Sequence, residues 1–237
     1  MREGDLNLRV PLPRHASRTA APAPYNVLPL RTHPDLMSDI LGIVGSLSAP
    51  SNTRAAVEVA LDAAAAERGV DTEVLHLAEY DLDPADGRSL EHYTGDTAEA
   101  LDRIIESSAY VVGTPVYRAS YAGTLKNLFD MIPRGMWQAD VAPFANSAVG
   151  LVATGASLHH YLAVEKELAP VLSFFGAHLA GSGTYVHGDH YGDDYGDDRT
   201  LTDDTVRERL RTLGVATVDL HRAIEDSDAL SKLGPQF

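Results

Sequence analysis

From Ile40 onward the chain alternates short apolar, β-branched runs with longer stretches whose apolar positions recur at helical spacing. The short runs are ILGIV (40–44), TEVLHL (72–77), YVVGT (110–114), AVGLVAT (148–154) and HLAGSGTYV (178–186), and they predict five strands. Between them, Val57, Ala60, Leu61 and Ala64 fall at 0, 3, 4, 7 spacing. The same spacing holds for Leu125, Leu128, Phe129 and Ile132, and again for Leu168, Val171, Leu172 and Phe175. Leu101, Ile104 and Ile105 mark a shorter helix, and Val206, Leu210, Leu213, Thr217 and Leu220 mark a final one. Regular β-α alternation implies a parallel sheet covered on both faces, because each right-handed crossover carries a helix back over the sheet. The expectation is a doubly wound α/β domain with strand order 2-1-3-4-5, whose ligands sit outside the carboxyl ends of strands 1 and 3.

The first 35 residues do not share this pattern. They hold six of the thirteen prolines, and five arginines against Glu3, Asp5 and Asp35 give them a charge of +2. Proline at that density favours extended, solvated chain or an arm laid over a surface. The organisation expected is therefore a flexible tail or oligomer arm over 1–36, one domain over 37–225 and a short tail over 226–237, with Met37 as a possible start. The whole chain carries −15, the wrong sign for wrapping nucleic acid or lying on anionic lipid. It has no cysteine, which excludes disulfides, thiolate metal sites and a cysteine nucleophile, so redox chemistry would need a cofactor. No apolar stretch approaches a membrane span and no signal-peptide core is visible, so a cytoplasmic protein is expected.

Three loops at one sheet edge carry the candidate chemistry. GSLSAPSNTR, from Gly45 to Arg54, joins strand 1 to a helix. Backbone N–H groups and the helix dipole favour an anion there, and Ser46, Ser48, Ser51 and Thr53 add hydroxyls. It lacks the lysine ending of a triphosphate loop and the G-x-G-x-x-G of a dinucleotide loop, which leaves a monophosphate. A serine-rich cap without a ligand is the competing reading. In GTPVYRASYAGTLKNLFDMIP (113–133), Pro115 and the residues to Ser120 delay the next helix. Such a turn can offer backbone groups and an apolar edge to a flat heterocycle. ATGASLHHYLAVEKELAPVLSFFGAH (153–178) repeats the form, with Gly155 allowing close backbone approach.

Together the three segments resemble the NAD(P)H-dependent FMN reductases of the flavodoxin-like superfamily, particularly those that supply reduced flavin to alkanesulfonate and aminopolycarboxylate monooxygenases. The resemblance spans Asp39 to Gly188, and TPVYRASYAGTLK is its most specific part. It implies FMN as flavin and NADPH or NADH as hydride donor. By position, Ser46, Ser51, Asn52, Thr53 and Arg54 would surround the FMN phosphate. Pro115, Val116, Tyr117 and Arg118 would line the isoalloxazine, and Thr154, Gly155 and Ala156 would meet its far edge. The resemblance also implies a homo-oligomer, dimer or tetramer, with Tyr121 in a widened π-type turn at a subunit interface beside the flavin. Burial of Tyr121 in its own core is not expected. Ala156 stands where the family usually has a second glycine.

No catalytic acid or base is required, because hydride passes between two stacked rings. Arg118 and Arg134 are candidates for the nicotinamide dinucleotide's phosphates. The run HGDHYGDDYGDD (187–198) is read as a solvated acidic loop rather than a metal site. His159 and His160 are read as cap or packing residues, Trp137 as packing, and Lys126 with Asp130 as a surface pair. The alternatives are an FMN-retaining quinone, azo-dye or chromate reductase, a flavodoxin-like electron carrier, and a non-enzymatic binding module.

Overall fold

A computed structural model describes residues 39–135, 141–192 and 199–235. The expectations for residues 1–36, Met37, Trp137 and the 193–198 part of the His/Asp run lie outside them. Strand β1 (Ile40–Val44) leads into helix α1 (Asn52–Arg68). β2 (Thr72–His76), α2 (Gly95–Glu106), β3 (Ala109–Tyr117) and the two-residue β4 (Ser120–Tyr121) follow, and then α3 (Gly123–Met131) and β5 (Ala148–Gly155). A π-helical turn (Val164–Leu168) runs into α4 (Ala169–Phe174). β6 (His178–Leu179), β7 (Thr184–His187) and the long α5 (Asp204–Glu225) complete the chain.

The sheet runs β2-β1-β3-β5 and ends in β6 and β7, each parallel to β5. This is the doubly wound order expected, with the fifth strand divided in two. Gly181 and Gly183 have φ of 70° and 79°, a left-handed backbone that no strand can continue through. The strand order that alternation predicts is thus kept, while glycine geometry interrupts its edge.

Residue alternation along the strands sends side chains to two apolar layers. Leu41, Ile43, Leu75, Tyr110, Val112 and Leu151 pack under α2, α3 and α4. Ile40, Val44, Val111 and Val152 pack under α1 and α5. Most helical positions singled out by spacing close these layers, with Val57, Ala60, Leu61 and Ala64 all buried on α1, while half-buried Ile105 belongs to neither. One predicted helix differs. The stretch holding Leu168, Val171, Leu172 and Phe175 begins as the π-helical turn and is regular only from Ala169.

Register places the three candidate loops side by side. Val44 lies opposite Gly113 and His76, and Pro115 lies opposite Thr154. All three loops therefore leave the carboxyl edge of the sheet at its centre. Asp226–Pro235 turns back along the opposite edge, where His178 Nε2 meets the Leu230 carbonyl at 3.1 Å.

Candidate functional site

The Gly45–Arg54 loop is organised by its own hydroxyls. Ser46 Oγ accepts from Ser48 N at 3.1 Å, and Ser51 Oγ caps α1 by accepting from Arg54 N at 3.2 Å. Both serines are buried, and each hydroxyl acts as acceptor in these bonds, which leaves its own O–H to donate. The first turn of α1 carries no acidic residue. Buried donors at an acid-free helix N-terminus suit an anion, by hydrogen bonding and by the helix dipole. Asn52 Oδ1, at the first residue of α1, is buried without a hydrogen-bond partner among the described residues.

Side chains from other loops brace this turn. Thr53 Oγ1 and Thr154 Oγ1 share a 2.7 Å hydrogen bond, so the first loop is tied to the third. Thr124, opening α3, donates to the Gly45 carbonyl at 2.7 Å, and Tyr191 donates to the Asn52 carbonyl at 2.7 Å. Burial pushes the Tyr191 phenol far above its ordinary value, so it stays a donor.

Arg54 faces a different way from the loop's donors. Its Nε donates to Glu58 and its Nη1 to Glu79, both at 2.7 Å. Its hydrogen bond to Glu58 is the largest cause of its raised pKa. Of the residues expected around a phosphate, Ser46, Ser48, Ser51, Asn52 and Thr53 lie together at the helix start. Arg54 is held beside them by two carboxylates.

The second loop is a tight hairpin. β3 and β4 pair antiparallel, with Val116 opposite Tyr121 and Tyr117 opposite Ser120. Arg118 and Ala119 form its two-residue tip with φ of 53° and 68°. Two-residue hairpins require left-handed residues, normally Asn or Gly, so an arginine and an alanine here hold strain at the edge of the site. Buried Thr114 secures the base, accepting from Ala122 N and donating to the Pro115 carbonyl, each at 3.0 Å. Tyr117 is 57% exposed beyond this base, and Leu47, Leu158 and Tyr161 from the neighbouring loops are exposed on the same edge.

The turn expected around Tyr121 takes a different form. Tyr121 is half-buried in β4, its ring centroid 6.2 Å from that of Phe129, and burial raises its pKa. The π-helical turn lies instead at Val164–Leu168, against the hairpin, where Ser120 Oγ donates to Glu167 at 3.0 Å. Pairing of β4 with β3 turns the Tyr121 ring inward, which spacing along the chain could not reveal. Arg134 also lies elsewhere. α3 runs back from the carboxyl edge, so Arg134 reaches the opposite end, 3.6 Å over the Phe174 ring beside Gly176 and Pro235.

In the third loop, Tyr185 donates to the Ser157 carbonyl at 2.6 Å. A Cβ on Gly155 would fall 2.3 Å from that hydroxyl, so Tyr185 is what requires glycine there. His187 lies opposite Gly155 in the sheet, and Ala156 abuts Gly188. His187 Nδ1 accepts from Asp189 N at 3.3 Å, and His190 Nδ1 accepts from His187 N at 3.0 Å, which closes a turn. Among the described residues no group of three or more histidines and carboxylates could hold a metal. His159 is exposed, while His160 Nδ1 is buried without a hydrogen-bond partner among the described residues. Lys126 pairs with Asp130 on the surface of α3.

Thr114, Thr124, Tyr185 and His76 were not singled out by sequence. Thr124 and Tyr185 act across 79 and 28 residues, whereas Thr114 bonds the nearby Pro115 and Ala122. Only the polar residue inside an apolar run, as in TEVLHL, signals one of them.

With this geometry in place, comparison with known proteins is decisive. The profile of the NADPH-dependent FMN reductases matches residues 38–191. An NAD(P)H-dependent FAD/FMN reductase of Geobacillus thermodenitrificans is 33% identical over 187 residues, spanning 78% of this chain and 95% of that protein. NADH-dependent FMN reductase SfnF of Pseudomonas putida is 35% identical over 152 residues, 62% of this chain and 75% of its own. The solved apo form of the NADH:FMN oxidoreductase EMOB superposes with a TM-score of 0.64 at 26% identity, over 84% of this chain and 96% of that one. The chain belongs to the NADPH-dependent FMN reductase family, and is accordingly an NAD(P)H:FMN oxidoreductase. No described helix is long and apolar enough to cross a membrane.

Proposed function

We propose that Gly45–Arg54 holds the FMN phosphate, that the β3–β4 hairpin and Thr154–Ala156 flank the isoalloxazine, and that the reduced flavin is released to a partner monooxygenase. The observation that carries this reading is the pair of buried hydroxyls, Ser46 and Ser51. Both are engaged as acceptors, and both stand at a helix N-terminus without acidic residues. That donor set fits a phosphate monoester.

Bound FMN supplies the N5 atom that accepts hydride from C4 of the nicotinamide. The chain's own residues bind and orient. Ser46, Ser48, Ser51 and the first N–H groups of α1 anchor one end, while Pro115, Val116 and Tyr117 offer an apolar edge to the ring. Arg118, exposed at the hairpin tip, is placed to meet the phosphates of the nicotinamide dinucleotide. No side chain has to move a proton to or from the reacting atoms.

Exposure of Tyr117, Leu47, Leu158 and Tyr161 on the ring side supports release over retention, since this chain alone does not enclose a ring there. It also supports a homo-oligomer that covers the edge. The test is direct. Purified protein should oxidise NAD(P)H with free FMN as acceptor, should emerge from a desalting column without flavin, and should sustain an FMNH2-dependent monooxygenase in a coupled assay. Tight flavin retention, with turnover of a quinone or azo dye and none of free FMN, would overturn the release reading.

A further inference from the structure

His76 ends β2, opposite Val44, where β1 passes into the phosphate loop. Its side chain is 3% exposed, which is unusual for an imidazole on an edge strand. Nε2 is buried with no hydrogen-bond partner among the described residues, and the ring lies against the Ser46 backbone. Nδ1 lies 3.8 Å from Glu79 Oε1. The charged groups around it are Arg54 and Glu58 from α1 and Glu79 from the turn after β2. Burial, and then the nearby Arg54 charge, depress its pKa, so the ring is neutral at pH 7 while Arg54 bridges Glu58 and Glu79.

Two requirements meet at this spot. A phosphate at Ser46–Thr53 attracts the adjacent Arg54 guanidinium, and Arg54 cannot turn to it without leaving Glu79 unpartnered. His76 is the titratable group already facing that carboxylate. We propose that His76 is a proton-coupled positioning residue for the flavin phosphate: as Arg54 turns from Glu79 to the phosphate, His76 takes a proton from solvent and replaces it as the partner of Glu79. The protonated ring then presents an Nδ1–H to Glu79 while it lies against the Ser46 backbone, which holds the loop in its binding shape. This rests on the reading that Gly45–Arg54 holds the phosphate.

The linkage has a definite sign. A base whose proton affinity rises on binding strengthens that binding fully below its free-state pKa, and the gain is lost as pH rises through its bound-state value. The phosphate's own second ionisation, near 6 in phosphate monoesters, confines a clean measurement to higher pH.

The experiment is calorimetric titration of the full chain with FMN, and in parallel with riboflavin, in buffers of different ionisation enthalpy at pH 7. The wild type should take up roughly half a proton or more with FMN beyond what His76→Gln takes up. Glu79→Gln, which leaves the imidazole in place, should lose the same uptake and serves if His76→Gln does not fold. Between pH 6.5 and 8, FMN affinity relative to riboflavin should fall roughly three- to tenfold in the wild type and stay flat in both variants. Equal proton uptake in all three proteins overturns the role of His76 while leaving the phosphate site intact. Equal wild-type affinity for FMN and riboflavin overturns the phosphate-loop reading itself, and this proposal with it.

Discussion

The Gly45–Arg54 loop and the β3–β4 hairpin leave the same sheet edge from adjacent strands, yet they are held in opposite ways. The first is braced from outside, with Thr124 on the Gly45 carbonyl, Tyr191 on the Asn52 carbonyl and Thr154 on the Thr53 hydroxyl. Its Ser46 and Ser51 are buried and keep O–H donors in reserve. The hairpin is braced at its base by Thr114 and at Ser120 by Glu167, and carries a strained tip and an exposed tyrosine. A small, highly charged group needs preorganised donors, because each misplaced or unpaired donor is costly once buried. A flat ring needs an apolar edge that can be approached and left. The contrast fits a protein that grips flavin by its phosphate and holds the ring loosely.

The largest expected effect tests the grip. Ser46→Ala with Ser51→Ala should weaken FMN binding by about 3 kcal/mol, roughly a hundredfold, and leave riboflavin nearly unchanged, as read by flavin fluorescence titration. Ser51 also caps α1, so the thermal midpoint should fall by the equivalent of about 1 kcal/mol. A parallel loss for both flavins would mean that the loop serves the fold alone.

Tyr117→Ala tests the other side, and the comparison predicts the opposite pattern. FMN and riboflavin should both weaken by about 1 kcal/mol, since an aromatic edge meets the ring and not the phosphate. A loss confined to FMN would place Tyr117 with the phosphate donors and erase the distinction between the two regions.

Relief of the hairpin strain is a smaller, stabilising change. Ala119→Gly removes a Cβ from a residue at φ 68° and should raise stability by about 1 kcal/mol, or about 2–4 °C in the thermal midpoint by calorimetry. Slower flavin turnover in that variant would tie the strain to function. An unaltered midpoint would mean that the tip is not strained in solution.

The smallest effect is on pH dependence. Buried His76 has a depressed pKa, so the folded chain binds fewer protons there than the unfolded chain. Its contribution to stability is therefore full above the unfolded value of about 6.5 and is lost as pH falls from there through the depressed folded value. Urea midpoints measured between pH 7.5 and 5 should decline less steeply in His76→Gln than in the wild type.

Local pattern carried the architecture and marked out the loops of the candidate site. Strand and helix periods are properties of neighbouring residues, so alternation alone yields the parallel sheet, its order and the edge where loops converge. The serines and the hairpin proline could be read because each acts within a few residues of its own backbone. What no local pattern holds is contact across the sheet. The Thr53–Thr154 pair spans 101 residues and the Tyr191–Asn52 bond spans 139. Tyr121 faces its own core because β4 pairs with β3 and turns the ring toward Phe129. Arg134 is removed from the carboxyl edge because α3 runs the length of the sheet before reaching it. Gly155 is needed for Tyr185, thirty positions on, whose hydroxyl occupies the space of its missing Cβ. Hydrophobic periodicity specifies which face of an element is buried. Which polar groups then meet depends on register and crossover, which exist only once the sheet has formed.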